Sequence, residues 1–139
     1  MPKRFANAQW NGNFKDGSGS MNFGDFEGPF SAASRFEEGD GTNPEELIGA
    51  AHAGCFSMAF SLALGAEGFD PNSIDTDAEV TIEKRGEDFV ISTVRLETEG
   101  DVPGIDEETF QSIAVAAKDG CPVSNALTGV DIELEATLK

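Results

Sequence analysis

Five side chains in this sequence have the types and spacing that chemistry needs. Cys55 lies in AAHAGCFSMAF, one helical turn after His52, the only histidine; the second cysteine, Cys121, opens CPVSNAL. Arg35 is one of only nine basic residues and stands in the otherwise acidic stretch RFEEGDG, just upstream of Glu45. These residues admit three chemistries. Both cysteines can be small buried hydrophobes. His52, Cys55 and Cys121 can be three ligands of a metal, although CxxC and HExxH spacings are missing and a fourth ligand would have to be a carboxylate or water. The cysteines can also be a redox pair, which needs a thiolate stabilised by a cation or amide dipoles and a second thiol to trap the sulfenic acid. For that third chemistry Glu45 suits a bidentate hold on the Arg35 guanidinium.

The elements that must position these residues are readable in outline. TNPEEL is a helix start: Asn43 suits the N-cap, Pro44 the first helical position, and Glu46 a capping box. The helix is expected to run to Gly65 or Gly68, with Leu47, Ala51, Cys55, Met58 and Leu62 on its interior stripe. A second helix is expected in VPGIDEETFQSIAVAAKDG, capped by Asp106, with Phe110, Ile113, Ala114 and Ala117 facing inward and Gly120 ending it. Pro122 marks a third helix start, which makes Cys121 an N-cap. FANAQWNGNF reads as a strand with a turn at Asn11–Gly12, and MNFGDFEGPFSAASRFEEGDGT as irregular or edge-strand chain. DAEVTIEKR and DFVISTVRLETEG read as strands joined at Gly86–Glu87, and VDIELEATL as a closing strand. The expectation is a single α+β domain over residues 1–139, with antiparallel sheets around a long buried central helix.

Composition narrows the functions. The chain has 139 residues, 26 acidic against 9 basic, for a net charge of −17. Such a surface repels nucleic acid and anionic membranes. It is also what keeps a protein soluble in high salt, where self-repulsion is screened. Two cysteines are too few for a disulfide scaffold, and no apolar run follows the basic residues of MPKRFANAQW, so the expected compartment is the reducing cytoplasm. The uncharged run Leu47–Ala66 is long enough to span a membrane, but it carries His52, Ser57, Ser61 and three glycines and no flanking basic or aromatic belt. A fully buried core helix is the expectation.

RFEEGDGTNPEELIGAAHAGCFSMAFSLAL followed by VPGIDEETFQSIAVAAKDGCPVSNAL closely resembles the OsmC/Ohr family of thiol peroxidases, in its osmotically inducible protein C branch. The likeness runs from QWNG to the last strand and is weaker over Gly17–Ala33. It implies an OsmC-like fold in an intertwined homodimer with active sites at the dimer interface. It implies Cys55 as the peroxidatic cysteine, Cys121 as the resolving cysteine, Arg35 as the group that activates the thiolate and binds peroxide, and Glu45 as the carboxylate that orients Arg35. It further implies an external dithiol reductant, of lipoyl type, and no metal or bound cofactor. Phe36 and Phe56 would then give an apolar lining suited to organic hydroperoxides, with Met58 more plainly core. His52 is expected to be a satisfied core histidine. The competing class is a non-enzymatic stress, sensing or binding protein of the same fold.

Overall fold

The computed structural model describes residues 1–139 as two compact units, Met1–Leu47 and Ile48–Lys139. In the first, β1 (Ala6–Asn11), β2 (Ser18–Phe23) and β3 (Phe26–Phe30) form an antiparallel meander, followed by α1 (Ala32–Phe36). The stretch expected to be irregular or edge-strand chain thus holds the end of β2, the edge strand β3 and the short helix α1, with irregular chain after it. Phe23 pairs with Phe26 across a two-residue turn, and Gly24 takes φ +58 at the first central position, the geometry that matches the twist of paired strands. Trp10, Gly19 and Phe30 share one cross-strand row. A Cβ on Gly19 would come within 2.5 Å of the Phe30 ring, so the missing side chain lets Phe30 lie over β2 with its ring centre 5.4 Å from that of Trp10.

α1 is anchored by a reciprocal Ser31/Ser34 capping box, and the Ser34 hydroxyl also donates to the Thr42 carbonyl at 2.7 Å. α2 (Pro44–Ala66) starts where the sequence predicts: the Glu46 amide donates to the Asn43 side chain at 2.8 Å. The Glu46 carboxylate accepts from the Thr42 hydroxyl. At its far end Gly68 has φ +88, and the Phe69 amide reaches back to the Leu64 carbonyl, a Schellman closure.

The second unit contains the rest of α2, then β4 (Ser73–Arg85), β5 (Asp88–Asp101), α3 (Glu107–Gly120), α4 (Pro122–Ala126) and β6 (Asp131–Leu138). β4 and β5 form the expected hairpin across Gly86–Glu87, whereas β6 runs parallel to β5. A parallel return needs a crossover connection, and α3 with α4 supplies it. The core joins Phe56, Phe60 and Leu64 of α2 to Val94 and Leu96 of β5 and to Phe110, Ile113, Ala114 and Ala117 of α3. Phe60 sits between Phe56 and Phe110 in tilted contacts, with ring centres 5.6 and 5.3 Å away.

The buried stripe of α2 differs from the expected one. Gly49, His52, Phe56, Phe60 and Leu64 face inward, while Met58 and Leu62, expected inside, are 76% and 78% exposed. The helix is apolar on both sides, so its periodicity does not mark an inner face. The larger rings of Phe56 and Phe60 take the core. By length and composition α2 could cross a membrane, yet its inward side is committed to the core of this unit. Hydroxyls tether it to the sheet: Ser57 donates to Thr76, which bonds Thr98.

The outer face of the second sheet is acidic. Asp77, Glu97 and Glu135 are cross-strand neighbours, as are Asp75 and Glu99, and all of them are exposed. Arg95 alone bridges Glu97 and Glu135. Like charges placed directly opposite one another destabilise a sheet until salt screens them. The melting temperature should therefore rise by roughly 5 °C between about 0.1 M and 1 M NaCl, and less in Asp77→Asn/Glu97→Gln. A midpoint indifferent to salt in differential scanning calorimetry would refute this reading.

Candidate active site

The first unit holds the arginine. α1 ends at Arg35 and Phe36, and α2 opens with Glu45 in its first turn. The Nε and Nη2 edge of Arg35 makes a bidentate pair with Glu45: Nη2 to Oε1 is 2.8 Å and Nε to the two oxygens is 3.2 and 3.3 Å. Glu45 is buried and Arg35 about one-third exposed, so the carboxylate is the fixed partner. This edge-on pairing leaves Nη1 outside the ion pair. The guanidinium carbon also lies 5.3 Å from the centre of the Phe36 ring. Beside it is a cavity of about 280 Å³, whose apolar walls are Trp10, Phe14, Phe30 and Pro44, with Arg35 at its edge.

The second unit holds the thiols. Cys55 and Cys121 are both free, and their sulfurs are 2.9 Å apart. A disulfide needs about 2.05 Å, so closure asks less than about 1 Å of sulfur movement. Cys121 is fully buried and belongs to two helices at once: its amide donates to Ala117 as the cap of α3, and its carbonyl accepts from Asn125 as the N-cap of α4. Its sulfur makes no cap hydrogen bond of ordinary length, but it sits in the field of the Val123 and Ser124 amides. Burial alone would raise the Cys121 thiol. Hydrogen bonding from Cys55, the Ser124 amide and hydroxyl and the Val123 amide outweighs burial, and its pKa lies below the ordinary value. Cys55 is pushed up, first by burial and then by Cys121, with only the Val123 amide opposing. Within this unit the negative charge therefore belongs on Cys121. The groups beside Cys55 raise its thiol, so a nearby cation would be needed to offset them.

His52 is fully buried, one turn before Cys55, with Nε2 2.7 Å from the Ser124 hydroxyl and Nδ1 without a partner. The expected satisfied core histidine is thus satisfied on one nitrogen only. His52, Cys55 and Cys121 do not converge as a metal-binding set. Phe56, expected to line a substrate site, is instead wholly enclosed in the core beside Phe60; Phe36 stands next to Arg35 and Phe14.

A sequence model described as OsmC-like protein matches residues 37–135. The chain belongs to the OsmC-like protein family. The peroxiredoxin OsmC of Escherichia coli is 49% identical over 95% of this chain and 94% of its own. The organic hydroperoxide resistance protein of Xanthomonas axonopodis pv. citri is 35% identical over 69% and 67%. The crystal structure of the organic hydroperoxide resistance protein OhrB of Bacillus subtilis superposes with a TM-score of 0.74 at 26% identity, covering 96% of this chain and 98% of that one.

In this OsmC-like chain, sequence spacing leads to both thiols and to the Arg35–Glu45 pair. It does not lead to Ser124 or to the Trp10, Phe14 and Phe30 walls. Ser124 had a usable signal: Pro122 fixes the first helical position, which places Ser124 third, turned back over the Cys121 cap. The aromatic walls come from separate strands and loops and have no linear motif.

Burial holds His52 below its ordinary 6.5. The folded protein keeps the ring neutral where the unfolded chain takes up a proton, so this contribution to stability is complete above pH 6.5 and is lost as pH falls toward the lower folded value. The urea midpoint should decline from about pH 6.5 to about pH 5.5, above most carboxylate titration. The decline should flatten in His52→Gln. An equal slope in both proteins would show that His52 is not the group responsible.

Proposed function

We propose that this OsmC-like protein is a metal-independent two-cysteine peroxidase that reduces organic hydroperoxides, and hydrogen peroxide more weakly, to alcohols or water. The observation that carries the reading is the approach of two free thiols to 2.9 Å, with a carboxylate-locked arginine elsewhere in the chain. The names of the peroxiredoxin and hydroperoxide-resistance relatives support it.

The cycle follows from the charges. Arg35, oriented by Glu45, supplies the cation that stabilises the Cys55 thiolate and binds the peroxide oxygens. The Cys55 thiolate attacks the distal oxygen, the O–O bond breaks, and the leaving alkoxide takes a proton to become the alcohol. Cys55 is now a sulfenic acid. Cys121 attacks its sulfur, hydroxide leaves as water, and the Cys55–Cys121 disulfide closes. An external dithiol, of lipoyl type, returns both thiols. The apolar Phe36 and Trp10–Phe14–Phe30 walls of the first unit suit an alkyl or aryl group, which supports organic peroxides over hydrogen peroxide. Phe56 is left to the core.

One equivalent of cumene hydroperoxide should remove two hydrogens from the intact mass of the wild type and add one oxygen to Cys121→Ser. It should leave Cys55→Ser unchanged. Arg35→Ala should slow the reaction by about 10²-fold, as expected for loss of a charge-stabilising donor. Wild-type thiols that still titrate after the peroxide treatment would remove the peroxidase reading in favour of a binding or sensing protein.

The protein acts as a homodimer in the cytoplasm, without membrane or nucleic-acid partners. The support is the outward side of α2, where Ala51, Gly54, Met58 and Leu62 form an exposed apolar strip beside Cys55. An interface between two copies would cover it. Sedimentation at micromolar concentration should give a dimer for the wild type and a monomer for Met58→Glu/Leu62→Glu. A monomeric wild type would overturn the assembly.

A further inference from the structure

Two contacts join α2 to the turn that starts α4, and they run side by side. One is Cys55 to Cys121. The other is His52 to Ser124, three residues before the first cysteine and three after the second. Both members of the second contact are buried, and His52 is fully so. A buried histidine costs free energy unless its nitrogens are bonded, yet one of them has no partner. The other large side chains buried as fully are aromatic or aliphatic, the Cys121 thiol apart, and an apolar ring of the same size would avoid that cost.

We infer that His52 is a positioning residue for disulfide closure: its Nε2–H donates to Ser124, pins the Cys121 turn onto α2, and so presents the Cys121 sulfur to Cys55. This rests on the peroxidase reading above. The hydrogen-bond inventory selects the tautomer. With the proton on Nε2, the unpartnered Nδ1 is a bare lone pair rather than a stranded donor. Ser124 then accepts from His52, and its own hydrogen is free to point at Cys121, in line with the hydroxyl's pull on that thiol. In the closing step Cys121 gives up its proton, its sulfur forms the S–S bond, and the Cys55 S–O bond breaks. The departing hydroxide takes a proton to become water. His52 and Ser124 are neither oxidised nor reduced; they set the distance and direction of attack, where small misplacements are costly.

The test follows sulfenic acid and disulfide separately, by rapid quench and intact mass, after one addition of cumene hydroperoxide. Ser124→Ala should lower the ratio of closing rate to oxidation rate by about tenfold, the share of one hydrogen bond to a charged group. Its Cys55 should reach sulfinic acid at correspondingly lower peroxide. His52→Phe should act in the same direction, and His52→Gln, which keeps a donor near Nε2, should recover most of the loss. The double variant Ser124→Ala/His52→Phe should be no slower than Ser124→Ala, because His52 acts through Ser124. An unchanged ratio in Ser124→Ala, or additive losses, overturns the proposal. Should the variants not fold, ¹⁵N NMR of the wild-type imidazole decides: a proton on Nε2 is expected, and one on Nδ1 overturns it. A wild type that forms sulfenic acid and disulfide normally while the variants match it defeats this inference alone. A wild type that forms neither defeats the peroxidase reading beneath it.

Discussion

The approach of two sulfurs across α2 and the start of α4 is the constraint around which the second unit is arranged. It requires α2 to be straight, fixed along its axis and fixed in rotation. Phe56, Phe60 and Leu64 fix the rotation by filling the core, and the Ser57–Thr76–Thr98 hydroxyls fix the helix against the sheet. It equally requires α3 to end at a set place, because the residue that ends it carries the second sulfur. Phe110 sets that place by packing against Gly100, where a Cβ would come within 2.7 Å of its ring.

Charge is arranged on a different principle from packing. The groups around the thiols favour a negative Cys121, and the arginine held by a buried carboxylate, Arg35, belongs to the other unit. A thiol that is activated only when a cation is brought to it stays quiet otherwise. In the proposed cycle that gives Cys55 two personalities, an inert half-buried thiol and a nucleophile, without any change of its own neighbours in the second unit. The bidentate Glu45 contact matters here because it spends one edge of the guanidinium on orientation and leaves the other nitrogen for chemistry.

What could be read from the sequence was whatever local chemistry dictates. Asn43 and Pro44, Asp106, and Cys121 before Pro122 each announce a helix start, and all three helices begin there. Gly86–Glu87 announces a hairpin, and the hairpin is present. Features decided by competition between distant segments were not readable. α2 offers apolar residues on both sides, and only the sheet and α3 select the side with Phe56 and Phe60, so Met58 and Leu62 share a stripe that looks interior in the sequence and is exposed in the fold. β6 alternates as any half-buried strand does, and its parallel direction comes from the crossover that precedes it. Phe56 looks like a pocket residue because it adjoins Cys55 in sequence, but adjacent helical positions are about 100° apart and face different surroundings.

Cys121 is the last link of α3 and the first of α4, with its amide and carbonyl both occupied. Its main chain is therefore not at liberty to travel, and any motion that brings its sulfur to Cys55 must come from side-chain torsion. Oxidised and reduced forms should then share one silhouette. Such a molecule can cycle with little reorganisation and little memory of its last turnover. A partner that had to distinguish the two forms would have to touch the sulfurs themselves.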